Sequence, residues 1–160
     1  MQIFEPAVMA LAQALRTRGW RLVTAESCTG GLIAAACTAV AGSSDWLEGG
    51  LVTYSNDTKT RWLGVPATLL QTHGAVSENV ALAMARGVLD RSTATLAVAV
   101  TGIAGPGGAV AGKPVGTVWL AWGTSGALQA ERLQLPGSRD AVRVATVQAA
   151  LQRLLETTTR

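Results

Sequence analysis

Apolar positions spaced three and four apart at Val8, Leu11, Ala12 and Leu15 predict a helix over Pro6–Arg18, with Gly19 as its stop. Trp20–Ala25 has strand character. Gly30–Val40 returns to a helical pattern, stopped at Gly42, and Leu47–Ser55 reads as a second strand. Asn56 is placed to cap a short helix through Trp62, with Gly64 after it, and Pro66–Thr72 forms another short helix ending at His73-Gly74. Ser77 caps a longer helix, Glu78–Arg91, that turns Val80, Met84, Val88 and Leu89 inward. Ala94–Val100 is almost continuously apolar, as in a strand covered on both faces. A glycine-rich loop, Thr101–Gly112, follows it. Val115–Trp122 is a strand, Gly123-Thr124-Ser125-Gly126 a hairpin turn, and Ala127–Leu135 the returning strand. Ser138 caps a last helix, Arg139–Leu155, and Thr157–Arg160 read as a frayed end.

Strands alternating with helices imply an α/β fold. The hairpin requires an antiparallel pair, so the sheet is mixed. No linker, repeat or low-complexity segment divides the 160 residues, which read as one domain over 1–160. A hydrophobic fraction of 49% against 14% charged residues excludes a disordered chain. No apolar run reaches the length of a bilayer span, and the N-terminus has Glu5 and Pro6 where a signal sequence carries basic then apolar residues. The expected setting is cytoplasmic, with no membrane partner. Cys28 and Cys37 fall just before and within one predicted helix, which disfavours a disulfide and suits a reducing compartment. With one histidine, His73, and no paired Cys or His motif, no metal site is expected.

The formal charge of +3 comes from scattered arginines, and only one Phe and one Tyr are present, so no nucleic-acid surface is expected. Mild positive charge suits a phosphorylated small molecule equally well. Eleven of the thirteen basic residues are arginine, leaving Lys59 and Lys113 as the only lysines. Arginine stays charged, whereas a desolvated lysine can become neutral and act as a base.

Four segments carry candidate chemistry. In Ala25-Glu26-Ser27-Cys28-Thr29-Gly30-Gly31, a strand hands over to a helix. Ser27 or Thr29 can serve there as an ordinary cap, or Ser27 as a nucleophile beside free amides that hold an oxyanion. Cys28 is a rival nucleophile, although a thiol at an apolar helix start is usually inert. In Tyr54-Ser55-Asn56-Asp57-Thr58-Lys59, Lys59 lies in the first turn of a helix, where the dipole disfavours its charge; it is either a base or a solvated surface lysine. The Thr101–Gly112 loop follows the most buried strand, where open α/β sheets bind ligands. Within it, Gly107 to Lys113 spells GxxxxGK, but Pro114 and a strand follow, so it is not a phosphate-binding P-loop. Arg139 and Arg143 share a helix face near an N-terminus, forming either an anion site or a surface cap with Asp140 pairing locally. His73 reads as incidental. Trp119 and Trp122 point to opposite faces of one strand, suiting a core and a subunit contact.

In series, AESCTGG, GSS at Gly42 to Ser44, VTYSNDTK, GAVS at Gly74 to Ser77, TGIAGPGG, KPVGTVW and PGSRDAVR resemble the C-terminal domain of the CinA (competence/damage-inducible) family over nearly the whole chain. Standalone members of that family are nicotinamide-nucleotide amidohydrolases. The resemblance implies a three-layer α/β/α sandwich with a mixed, mostly parallel five-stranded sheet, no metal or cofactor, and a homo-oligomer. It implies hydrolysis of the carboxamide of nicotinamide mononucleotide (NMN) to nicotinic acid mononucleotide and ammonia, in pyridine nucleotide salvage. Its catalytic serine and lysine fall on Ser27 and Lys59, with Tyr54 alongside. The amides of Thr29, Gly30 and Gly31 are the expected oxyanion donors. Ser43, Ser77, Thr101, Gly102, Gly105, Arg139 and Arg143 are the expected substrate contacts. Two other functions stay open: a non-catalytic nucleotide-binding or regulatory module, and an amidase on a different small amide.

Overall fold

A computed structural model describes residues 1–159. Its centre is one five-stranded sheet in the order β2-β1-β3-β4-β5. Strands β1 (Leu22–Glu26), β2 (Leu47–Val52) and β3 (Leu96–Gly102) are mutually parallel, and β4 (Thr117–Thr124) and β5 (Ala127–Gln134) extend the sheet as an antiparallel hairpin. Four of the five strands run one way, as expected for a mixed, mostly parallel sheet.

Helices cover both faces. On one, α1 (Glu5–Arg18), α2 (Leu32–Thr38) and α6 (Arg139–Thr159) bury Leu11, Leu15, Ile33, Val147 and Leu151 against Leu22, Val98 and Leu120. On the other, α3 (Asn56–Leu63), α4 (Ala67–His73) and α5 (Glu78–Leu89) pack Leu63, Val80, Met84 and Val88 onto Val23, Ala25, Ala97 and Ala99. Because alternate β3 residues feed the two cores, the strand must be apolar throughout, which is what its sequence shows. Trp122 joins the first core, and the half-buried Trp119 packs against the second.

Several boundaries differ from the periodicity. Strand β2 ends at Val52, since Thr53 and Tyr54 turn away to start α3. Ser55, not Asn56, caps α3: its Oγ accepts from the Thr58 amide at 3.1 Å. Helix α2 begins at Leu32 rather than Gly30, because Gly30 and Gly31 adopt φ of 60° and 93°. The β4–β5 connection shortens to Ser125-Gly126, as Thr124 and Ala127 already pair. The expected frayed end is helical through Thr159. Thr158 is buried, and its carbonyl accepts from Arg18 Nε at 2.6 Å. Arg160 lies outside the described residues. Among those residues, no helix is long and apolar enough to cross a membrane.

The topology sets where a ligand fits. The β1-to-β2 connection carries α2 on one face, and the β2-to-β3 connection carries α3, α4 and α5 on the other. Beyond the carboxyl ends of β1 and β2 the two connections leave to opposite faces, and the crevice at such a divergence is where open α/β sheets take ligands.

The two-sided packing yields a stability test at α5. An alanine at an exposed helical glycine gains about 1 kcal/mol of helix propensity. At Gly87 the added methyl meets the Leu63 carbonyl at the end of α3. Gly87→Ala should therefore lower stability, by about 1–3 kcal/mol, as overpacked sites do. Chemical denaturation of the two proteins measures the difference.

Candidate active site

Ser27 is the first residue beyond β1, and its amide donates to the Val100 carbonyl of β3 at 3.0 Å. The chain then turns through Cys28 to Gly31 before α2 begins. Lys59 approaches from the opposite face, on the fourth residue of α3. Its Nζ donates to Ser27 Oγ at 3.0 Å, to the Thr53 carbonyl at 2.8 Å and to the Tyr54 carbonyl at 3.2 Å. Lys59 is 1% exposed and Ser27 8%. Taking an ammonium out of water favours its neutral form, and burial lowers the Lys59 pKa to about 8. The shift comes from desolvation, not from the helix end that the sequence suggested.

Cys28 does not share this environment. Its side chain belongs to the hydrophobic core on the α2 face. Burial pushes its thiol up to about 11 and that of Cys37 up to about 12. A thiol held protonated is a poor nucleophile, so Cys28 is not a competitor to Ser27.

Neither Ser27 nor Thr29 caps α2 in the ordinary way. Glu26, the last residue of β1, does so with a carboxylate that is only 1% exposed. Oε2 accepts from the Ile33 amide at 3.0 Å and Thr29 Oγ1 at 2.7 Å. Oε1 accepts from the Ala34 amide at 2.9 Å and Thr24 Oγ1 at 3.1 Å. The Leu32 amide goes to the Thr29 carbonyl, so the first-turn donors of α2 are occupied. The expected oxyanion set shrinks accordingly. Gly30 donates its amide to the Ser27 carbonyl at 3.0 Å and drops out. The amides of Thr29 and Gly31 give to no carbonyl among the described residues.

Three further segments converge on the crevice. The start of α6 brings Arg139 and Arg143. Arg139 donates to the Gly105 carbonyl at 2.8 Å and to the Tyr54 hydroxyl at 2.9 Å, and Arg143 donates to the Thr29 carbonyl at 3.1 Å. Asp140 lies 3.7 Å from Arg143 and is 90% exposed, so it screens that charge weakly. Gly102 closes β3 opposite Val118, and Gly105 follows in the loop. Lys113, the other scarce lysine, serves as a tether for this loop by donating to the His73 carbonyl at 2.7 Å.

The remaining expected residues sit differently. Tyr54 is 58% exposed with its hydroxyl accepting from Arg139; what it presents to Lys59 is its carbonyl, not its phenol. Ser77 caps α5 and donates to the Gly74 carbonyl at 2.8 Å, while Thr101 donates to the Ala75 carbonyl at 2.9 Å. The Ser77 hydroxyl closes the 74–77 loop on itself, and the Thr101 hydroxyl ties that loop to the sheet. Ser43 precedes β2, at the opposite end of the sheet from Ser27, where Arg16 grips the Gly42 carbonyl. It is not part of this crevice; GSS marks a turn.

Sequence reasoning gave Glu26 no role, although it stands inside the motif. The available signal was a carboxylate at the end of an otherwise apolar strand, which must be buried and therefore paired.

The profile of the CinA C-terminal domain matches residues 5–158. The chain belongs to the CinA C-terminal domain family. It is 56% identical over 146 residues to the nicotinamide-nucleotide amidohydrolase PncC of Pseudomonas putida, covering 91% of each chain. It is 49% identical to PncC of Enterobacter agglomerans, covering 91% of this chain and 89% of that one. It also matches longer CinA-like proteins: 50% identity to that of Gemmatimonas aurantiaca spans only 32% of the relative. Among solved structures, the competence/damage inducible protein CihA of Agrobacterium tumefaciens superposes with a TM-score of 0.92 at 46% identity, over 100% of this chain and 97% of that one. Competence damage-inducible protein A of Klebsiella pneumoniae does so with a TM-score of 0.94 at 41% identity, over 97% and 96%. These relatives share the α/β sandwich of this CinA domain.

The buried amine leaves a thermodynamic signature. Free lysine titrates near 10.4, so between about pH 8 and that value the unfolded chain holds a proton on Lys59 that the folded chain has lost. Stability contributed by this site therefore rises with pH across that window, by up to about 1.4 kcal/mol per pH unit. Wild type should gain on Lys59→Met as the pH is raised from 8 to 10, measured by urea denaturation in a Cys28→Ala background, which removes the thiol whose titration depends on Lys59.

Proposed function

We propose that this protein is a hydrolase that cleaves the carboxamide of NMN, releasing nicotinic acid mononucleotide and ammonia, with Ser27 as nucleophile and Lys59 as general base. The observation that carries the reading is the 3.0 Å contact between Lys59 Nζ and Ser27 Oγ, both buried at the mouth of the sheet crevice. The PncC relatives, matched over most of their length, support the amide and the nucleotide.

The two carbonyls on Lys59 give the base its direction. A neutral amine has two N–H bonds and one lone pair. With the hydrogens engaged by the Thr53 and Tyr54 carbonyls, the lone pair is left toward Ser27 Oγ. Lys59 takes the serine proton as Oγ bonds to the carboxamide carbon. The carbonyl electron pair moves to oxygen, near the amides of Thr29 and Gly31, where one well-placed donor is worth about 3 kcal/mol. Collapse breaks the C–N bond, with the proton passed from Lys59 to the departing ammonia. Water then adds to the ester, losing its proton to Lys59; collapse breaks the ester C–O bond, Lys59 returns that proton to Ser27 Oγ, and the freed acid ionises as it leaves.

Arg139 and Arg143, on one face of the first turn of α6, are the proposed grip on the phosphate. Their hydrogen-bond partners are carbonyls and a phenol, and the one carboxylate nearby, Asp140 beside Arg143, is exposed and screened, so a dianion can displace them. Glycines 102 and 105, where a side chain would collide with Val118 and Val115, let the loop lie tight against the start of β4 beside the arginines. We place the reaction in pyridine nucleotide salvage.

Ser27→Ala should abolish ammonia release from NMN in a folded protein, while Cys28→Ala keeps most activity. Lys59→Arg should fail nearly as completely as Lys59→Ala, since arginine has no neutral form to cycle through. NMN binding by wild type without turnover would mark a binding module instead. The rate should rise with pH through about 8 as Lys59 loses its proton and then level off; a rate flat across that range removes Lys59 as base. Arg139→Ala and Arg143→Ala should each raise KM for NMN about 10- to 100-fold, the worth of a charged hydrogen bond, without worsening turnover of free nicotinamide. Equal losses on both substrates would point to an amidase that does not read the phosphate.

A further inference from the structure

We propose that Glu26 is the positioning residue of this site: its buried carboxylate draws the Ser27–Gly31 turn down onto the sheet, and so sets where the nucleophile and the oxyanion donors stand. The inference rests on the reading of Ser27 as nucleophile.

Glu26 and Ser27 are consecutive residues whose side chains leave opposite faces of the sheet. One carboxylate gathers a strand hydroxyl (Thr24), a turn hydroxyl (Thr29) and two helix amides (Ile33 and Ala34) at 2.7–3.1 Å. The Glu26 main chain is held as well, its carbonyl accepting from the Thr53 amide at 2.8 Å, beside the carbonyl that holds Lys59. Ser27 therefore stands between two anchors, the carboxylate beneath the turn and the amine above it.

The chemistry of the partners is specific. Ile33 and Ala34 present N–H groups that cannot turn round to accept. A carboxylate offers acceptors to all four partners. A carboxamide would push N–H hydrogens at groups that also donate, so Glu26→Gln keeps the volume and loses the pairing. The same arrangement decides which amides serve the oxyanion. Of the three expected oxyanion amides, those of Thr29 and Gly31 are left, and Thr29 is the residue tied by its hydroxyl to the carboxylate.

The experiment compares wild type, Glu26→Gln, Thr29→Val and Thr29→Ser. Thermal melting establishes folding; kcat and KM follow ammonia release from NMN. The rate of Ser27 phosphonylation by a fluorophosphonate, in which an Oγ–P bond forms and fluoride leaves, reads the nucleophile without the natural substrate. Glu26→Gln should lose about 100-fold in kcat, the cost of a misplacement near 1 Å. KM should stay within about threefold and the pH of the rise in rate unchanged, because the carboxylate acts on geometry and not on binding or on the lysine proton. Labelling should slow in parallel. Thr29→Val should lose about tenfold, and Thr29→Ser, which restores the hydroxyl, should recover most of that.

A folded Glu26→Gln with kcat near wild type overturns the proposal, as does a raised KM at unchanged kcat or a displaced pH profile. If Glu26→Gln does not fold, Thr29→Val decides: wild-type kcat and labelling there overturn it. A wild type that is labelled at Ser27 yet releases no ammonia from NMN overturns the substrate reading alone, and the labelling rates of the variants then judge Glu26. A wild type that is neither labelled nor active overturns both.

Discussion

A primary amine buried at the end of a sheet, with two carbonyls and one hydroxyl around it, is the constraint on which the rest of this structure turns. Water would solvate the Lys59 ammonium far better than these three acceptors do, so the fold holds it near the point of losing its proton. That tension makes a residue of ordinarily high basicity useful near neutral pH. It also explains why the surroundings are so firmly tied. The Thr53 and Tyr54 carbonyls belong to the segment leaving β2, the hydroxyl to the segment leaving β1, and the amine to α3. A small slip in any of them would leave a buried polar group unpaired.

The sheet supplies the rigidity. Ser27 and Thr53 each extend a strand ladder by one further hydrogen bond, to Val100 and Glu26, before the chain turns away. The reactive pair thus sits on the last rungs of the sheet rather than out on a loop. Loops and helix ends bring in the two arginines of α6 and the glycine-rich segment after β3. Arg139 links that segment to the Tyr54 phenol, so these parts are already joined to one another.

Much of this was legible in the chain. The alternation of periods located every helix and strand, and the doubly apolar β3 announced a strand covered on both faces. Ser27, Lys59, Arg139 and Arg143 were singled out by position and type. What failed did so for particular reasons. Ser43 lies in a motif that is close to the site in sequence but belongs to the far end of the strands. Tyr54 was chosen for its phenol, whereas its carbonyl faces the lysine. Gly30 and Gly31 were counted as helix because glycine carries no mark of its φ. Glu26 was passed over because a lone carboxylate in a motif says nothing about which donors will surround it.

By itself, the sequence determined the layering, the strand-to-helix turns and the inventory of reactive groups, since these follow from local periodicity, capping and residue chemistry. Only the tertiary structure decided which groups act together. Residues 27 and 59 meet because parallel strands β1 and β2 put their carboxyl ends side by side, and a buried carboxylate decides which amides of the turn are taken up by the start of α2. Burial, and with it the lowered basicity of Lys59, belongs to the packed molecule: desolvation arises when distant segments close over a group, and no neighbour in sequence can supply it.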